Sequence, residues 1–209
     1  MEGDSVHHDG RAVKLSVLMA SVSSRLATKM PRIFLDLERQ AKGKDVEVLV
    51  FLDDRKRSIG HKRNALVSIA QGDFVTFVDD DDRVAHDYVD RILERIGDAT
   101  NALRPDVIVF DVWVSGYYER FGLSDRLCSY DLDHEHQTLT DRYHRKPNHL
   151  MAWRTELVKQ EPFSDSSSGE DTDWAHRICR RFAKQLHQER IDKVLYSYDF
   201  DTNDTSLNR

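Results

Sequence analysis

The chain has 209 residues, with 31 Lys and Arg against 37 Asp and Glu, a formal net charge of −6. That length suits one domain able to bury roughly 70% of its unfolded surface. The acidic balance argues against a protein held to nucleic acid by bulk charge, although a local basic groove stays possible. The 2 cysteines, Cys128 and Cys179, are far apart and lack metal-ligand spacing, so neither a disulfide framework nor a zinc site is expected. No stretch approaches the ~18 apolar residues of a bilayer span, so the chain reads as soluble and cytoplasmic.

Residues 1–11 carry acids, histidines and glycine without an apolar core and read as a disordered N-terminus. Residues 12–209 read as one domain, with 12–114 as a nucleotide-binding half and 115–209 as an acceptor-binding and catalytic half. A β-leaning run from Val13 to Ala20 ends in Ser21, Ser23 and Ser24, a strand followed by a helix cap. Leu26, Met30, Ile33, Phe34 and Leu37 recur at helical steps, and Lys42-Gly43-Lys44 ends that helix. Val46 to Leu52 forms a second strand, stopped by Asp53-Asp54. A helix around Ile59, Leu66, Ile69 and Ala70 leads to Gly72 and a third strand, Phe74 to Val78. Val84, Tyr88, Val89, Ile92, Leu93 and Ile96 mark another helix, and Asp106 to Val114 another strand. This strand and helix alternation is the pattern of an α/β protein with a mostly parallel sheet covered on both faces.

The pattern then changes. Gly116 to Phe121 suits a strand or hairpin arm, and residues 122–149 are polar, reading as loop or irregular sheet. Trp174, Ile178, Phe182 and Leu186 define a late helix, and Lys193 to Tyr198 a last strand.

The most informative stretch is the third strand together with the acidic run at its end, Asp79-Asp80-Asp81-Asp82. Four successive carboxylates are electrostatically costly unless a cation offsets them. Open α/β sheets bind ligands beyond the carboxyl ends of their strands, so the run suggests a divalent metal with a phosphorylated substrate. A solvated turn or the first turn of a helix is the structural alternative.

Four ordered motifs resemble the family 2 glycosyltransferases of the A-type nucleotide-sugar fold. They are SVLMASVSSR, the segment IGHKRNALVSIAQGDFVTFVDDDD, the strand DVIVFDVWV and GEDTDWAHR. Within the second, Arg63-Asn64, Gly72-Asp73 and the acidic run match the family's helix pair, Gly-acid step and Asp-x-Asp. The likeness spans residues 14–199 and implies a single Rossmann-like domain transferring one sugar from a nucleoside diphosphate, a UDP-sugar first, to a hydroxyl with inversion.

By that resemblance Asp81, with Asp79, would ligate Mn²⁺ or Mg²⁺, and Asp79 would also accept hydrogen bonds from the ribose. A nucleotide-bound ion of this kind takes only one or two carboxylates beside phosphate and water. Asp80 and Asp82 would support them or cap a helix. One of Asp53 and Asp54 would meet the base or ribose, where the alternative is an Asx turn. Arg63 and Asn64 would stand at the donor, with Arg63 reaching the diphosphate or organising the acids. Ser21 would bind the base or cap the helix, and Asn148 and His149 would touch the sugar. Glu170-Asp171 matches the acidic pair that supplies the base, with Asp171 as the base itself, although acids before a helix also suit its dipole. Trp174 suits the core better than a sugar face.

The acceptor stays open among a saccharide, a protein, a lipid head group and a modified nucleic acid. For the last, Arg120, Arg126, Arg142, Arg145 and Lys146, with Tyr117, Tyr118, Tyr130 and Tyr143 between them, would supply phosphate and stacking contacts. A nucleotidyltransferase of related fold is a rival reading, but the first strand exits through SVSSRLATK, without a glycine-rich phosphate loop. A non-catalytic sugar- or calcium-binding module is the other.

Overall fold

The computed structural model describes residues 12–97, 104–115, 125–183 and 185–199. The hairpin arm expected at Gly116 to Phe121, and with it Arg120, Tyr117 and Tyr118, lies outside the described residues, as do residues 1–11.

The parallel core comes first. Strands β1 (Leu15–Val22), β2 (Val46–Asp53) and β3 (Phe74–Phe77) lie in the order β2-β1-β3, all parallel, with Leu15 opposite both Val46 and Phe74. Neighbours on both sides and helices above and below explain why β1 and β3 are almost continuously apolar and buried. Helix α1 (Met30–Ala41) starts later than its periodicity predicts. Ser23–Arg25 form a single 3-10 turn instead, Leu26 is exposed, and Pro31 sits in the first turn, where its missing N–H costs nothing. Helix α2 (Ile59–Ile69) is capped by the Ser58 hydroxyl, which accepts from the His61 N–H.

Val84, expected in a helix, belongs to the two-residue strand β4 (Arg83–Val84), and α3 (Tyr88–Ile96) follows it. Strand β5 (Val107–Ser115) leads to β6 (Arg126–Tyr130), β7 (Gln137–Thr138) and β8 (Arg142–Arg145), the irregular sheet of the polar region. The sequence pattern did not show β9 (Ala152–Arg154), which runs antiparallel between β3 and β5, nor the short helix α4 (Thr155–Gln160) after it. Helix α5 (Glu170–Phe182) ends before Leu186, and β10 (Gln188–Asp199) pairs parallel with β5 and antiparallel with β4. Most of the pairing is parallel. Helix α1 packs on α3, and α2 on α4 and α5, so helices flank a sheet that has ten strands among the described residues.

Two glycines permit close approach. A Cβ on Gly72 would stand 2.5 Å from the Ser16 backbone N, and one on Gly60 would stand 1.9 Å from the Ser164 carbonyl oxygen. Gly60 therefore lets the loop between α4 and α5 lie directly on the start of α2, bringing Glu170 and Asp171 to the carboxyl ends of the parallel strands. Asn64 completes the join. Its amide donates to the Phe163 carbonyl and accepts from the Phe163 N–H, each at 2.8 Å.

Candidate functional site

The four aspartates after β3 divide by alternation. Asp79 and Asp81 keep 33% and 19% of their side chains exposed, whereas Asp80 and Asp82 keep 2% and 0%. Asp80 accepts from the Ser21 hydroxyl at 2.6 Å and pairs with Arg25. Asp82 accepts from the Tyr196 hydroxyl at 2.6 Å and from the Asp199 N–H at 3.1 Å. The same tyrosine oxygen accepts from the Asp79 N–H at 3.0 Å, so β10 holds the acidic turn from below. Burial pushes the Asp82 carboxyl well above the usual carboxylate range, and the Asp79 charge adds to it.

Asp81 is the candidate cation ligand. Burial raises its carboxyl to about 6; Arg25 opposes that rise, while the Asp79 and Asp80 charges reinforce it. Arg25 lies 2.9 Å from Asp81 Oδ2 and offsets part of the repulsion. Among the described residues no three His, Cys, Asp or Glu side chains are grouped to hold an ion unaided. One partly exposed, under-compensated carboxylate nevertheless fits an ion carried mainly by phosphate oxygens and water. Asp79 has other neighbours, Arg63 at 3.4 Å and His149 at 3.7 Å.

Several residues expected at the donor support the site from behind. Ser21, 2% exposed, neither caps a helix nor faces solvent, because its hydroxyl holds Asp80. Asp80 is itself such an anchor, and Asn64 is committed to the Phe163 backbone. Asp53 forms the Asx turn, accepting from the N–H groups of Arg55 and Arg57 at 3.1 and 3.0 Å, and pairs with Lys62 at 2.7 Å. Burial opposes ionisation of Asp53, but the Lys62 hydrogen bond and charge outweigh it and lower the carboxyl. Asp54 is exposed and has no polar partner among the described residues. Asn148 donates to the Tyr130 hydroxyl at 3.3 Å and accepts from the Leu150 N–H at 3.1 Å, which shapes the turn carrying His149.

The Glu170-Asp171 pair divides in the same way. Glu170, 5% exposed, is paired with Arg63, which is 4% exposed and lies over the faces of Phe77 and Phe163. The Glu170 carboxylate neutralises a buried guanidinium. Asp171 keeps 34% of its side chain exposed, and only its Oδ1 is engaged locally, by the Thr172 N–H at 2.7 Å. His149, 3% exposed, lies between the two acidic groups, with Nε2 3.7 Å from Asp79 and Nδ1 3.9 Å from Asp171. Trp174 is core, fully buried and stacked on Phe163 at 4.6 Å.

Three site residues escaped the sequence reading. Lys62 is 3% exposed and bridges Asp53 to the Ser21 carbonyl, which it reaches at 2.9 Å. Its signal was its spacing, since Lys62 and Arg63 each precede a buried apolar residue, Leu66 and Val67, by four residues on the buried face of α2. Arg25 and Tyr196 carried no local signal.

A family model for glycosyl transferase family 2 matches residues 33–152, more than half of the chain. The chain belongs to glycosyl transferase family 2. The family match runs from within α1 to the first residue of β9 and so includes the acidic turn and His149, whereas Asp171 lies beyond it. No curated protein sequence matches the chain. Among solved structures, the 1–349 segment of S. aureus TarS superposes with a TM-score of 0.58 at 16% identity, covering 89% of this chain and 60% of that one. The same segment in complex with UDP-GlcNAc gives 0.58 and 16%, covering 90% and 59%. A longer TarS structure gives 0.60 and 16%, covering 90% and 37%. This family 2 chain therefore shares their A-type fold while spanning less than two thirds of the TarS chains. Among the described residues no helix is long and apolar enough to cross a membrane.

The basic and aromatic patch considered for nucleic acid is engaged internally where it is described. Arg126 bonds the carbonyls of Leu139 and Thr140, Arg145 that of Gln137, and Lys146 that of Leu132, while Arg142 pairs with Asp141. Tyr130 is buried and Arg145 lies over Tyr143. Where they are described, these residues hold β6, β7 and β8 together.

Proposed function

We propose that this family 2 domain transfers one sugar from a nucleoside diphosphate sugar, a UDP-sugar first, to an acceptor hydroxyl with inversion and with Mn²⁺ or Mg²⁺ present. The observation that carries this reading is the meeting of the partly exposed Asp79 and Asp81, beyond β3, with the partly exposed Asp171 at the start of α5. The two acidic groups are 3.7 and 3.9 Å from opposite nitrogens of one buried histidine.

Asp81 would hold the ion, and the ion when bound supplies positive charge to the departing diphosphate. Asp79 faces the donor with hydrogen-bond acceptors for ribose hydroxyls, and the exposed Asp54 is the candidate for the base or ribose. Asp171 Oδ2 takes the proton of the acceptor hydroxyl as its oxygen bonds to the anomeric carbon and the bond from that carbon to the diphosphate breaks. One in-line displacement inverts the centre. The TarS complexes with UDP-GlcNAc and UDP support a uridine donor by analogy of fold.

The test is nucleoside diphosphate release from a panel of sugar nucleotides, with Mn²⁺ or with EDTA and with hydroxyl acceptors of several classes. Metal-dependent release of UDP from one donor is the expected result. Pyrophosphate release would instead indicate nucleotidyl transfer, and binding without release a non-catalytic module.

A further inference from the structure

We propose that His149 is the positioning residue for the base, its Nδ1–H directed at Asp171 while its Nε2 accepts a hydrogen bond from Arg63. The proposal rests on the reading of Asp171 as the group that takes the acceptor proton. The residue is held by its backbone and by a flanking aromatic ring. The Phe77 N–H donates to the His149 carbonyl at 3.1 Å, and the imidazole meets the Phe77 ring edge-on with centroids 5.9 Å apart. The side chain sits between β3 and α5 and is 3% exposed.

Donor and acceptor chemistry then assigns the tautomer. His149 Nε2 lies 2.9 Å from an Arg63 guanidinium nitrogen. A guanidinium has donors only, so at that distance Nε2 must be the acceptor and the ring proton must be on Nδ1. The Asp79 carboxylate, 3.7 Å from the same Nε2, is too far to claim that atom as a donor. Nδ1 is buried and has no hydrogen-bond partner. An orphaned buried donor is costly, and buried polar groups without partners are scarce in folded proteins.

The carboxylate facing this orphan is Asp171 Oδ2, 3.9 Å away. Asp171 Oδ1 already accepts from the Thr172 N–H at 2.7 Å. Oδ2 is thus the free oxygen, and its two lone pairs serve one donor on the histidine side and one acceptor hydroxyl on the solvent side. A movement of about 1 Å closes the hydrogen bond, the kind of tightening catalytic contacts undergo when substrates bind. Arg63 continues the connection toward the donor, through its contact with Asp79 at 3.4 Å. His149 thereby links the orientation of the base to the groups that face the nucleotide sugar, without touching either reacting atom itself.

The experiment compares His149→Asn, His149→Gln and His149→Leu with Asp171→Asn by steady-state kinetics and donor-binding calorimetry in Mn²⁺. An Asn amide nitrogen replaces Nδ1–H but leaves Arg63 without its acceptor, whereas a Gln amide oxygen serves Arg63 and places nothing at Nδ1. His149→Leu and His149→Gln should lower kcat by about 10²-fold, the cost of a misplacement near 1 Å. Donor KM and Kd should stay within about threefold, and His149→Asn should restore most of kcat. A fully active His149→Gln beside an impaired His149→Leu would show that satisfying Arg63 is the residue's whole task and would overturn the proposal. Full activity in all three variants would also overturn it. Nitrogen-15 spectra of the imidazole in the unmodified protein read the tautomer whatever the variants' folding, and a proton on Nε2 overturns the assignment. A fully active Asp171→Asn would defeat the base reading instead, leaving the tautomer as assigned.

Discussion

The carboxyl ends of β1, β2 and β3 and the β6 to β8 region are both rich in charge, yet they use it in opposite ways. At the strand ends Lys62, Arg63, Asp80 and Glu170 are each at most 5% exposed and paired with one another or with Asp53, Ser21 and Arg25. In β6 to β8 Arg126, Arg142 and Arg145 reach backbone carbonyls or a neighbouring acid at the surface. Buried ion pairs are seldom better for stability than apolar packing, whereas surface pairs cost little and contribute little. A fold that buries paired charge at the ends of its parallel strands is holding adjacent carboxylates in place, and a fold that ties arginines to carbonyls is stitching a short-stranded sheet.

That contrast breaks most sharply at Asp171, the proposed base. Asp171→Asn should lower transfer by about 10²- to 10⁴-fold, the usual worth of a positioned general base, with donor Kd in Mn²⁺ nearly unchanged by calorimetry. Near-normal turnover would remove the residue from the chemistry.

Next comes the stability of the buried network. Arg63→Met leaves Glu170 buried and unpaired and should cost about 3–5 kcal/mol by urea unfolding. Arg145→Ala in β8 should cost less than ~1 kcal/mol, the scale of exposed charge contacts. Equal costs would erase the distinction between the two regions.

Gly60→Ala is expected to follow, at about 1–3 kcal/mol, since its Cβ would stand 1.9 Å from the Ser164 carbonyl oxygen and force the loop away. Because that loop delivers Asp171, kcat should fall further than the loss of stability explains.

The smallest effect concerns a pair outside both regions. Asp87 is held down to about 2, chiefly by its hydrogen bond from Lys193, with burial opposing and Arg91 adding to it. A carboxyl lowered from 3.8 contributes stability that is present above about pH 4 and lost as pH falls through about 2. Asp87→Asn should therefore reduce stability at neutral pH by less than ~1 kcal/mol, since the pair is only partly buried and solvent still screens it. The difference from the unmodified protein should vanish near pH 2 in acid titrations followed by circular dichroism.

The elements that repeat locally were legible in the chain. Apolar runs of strand length placed β1, β2, β3 and β5, and the Gly72 step placed the acidic run at a strand end. Val84 and the late start of α1 went the other way, because a long-range pairing with Tyr196 and a 3-10 turn at Ser23–Arg25 overrode periodicity. The three-residue β9 was too short to show a period at all, and it exists because β3 and β5 each offer it an edge.

The sequence alone determined the family resemblance, the α/β class and the handful of acids among which the candidate site lies. It did so because strand period, helix period and motif order are written along the chain. Tertiary structure decided which of these acids are buried and paired and which face solvent. Arg63 and Glu170 are 107 positions apart and Ser21 and Asp80 are 59 apart, so whether a carboxylate is buried beside a cation or left facing solvent depends on chain packing that no local pattern encodes. Asp80, Asp82 and Glu170 became supports, Asp79, Asp81 and Asp171 kept exposed oxygens, and His149 came to lie between them.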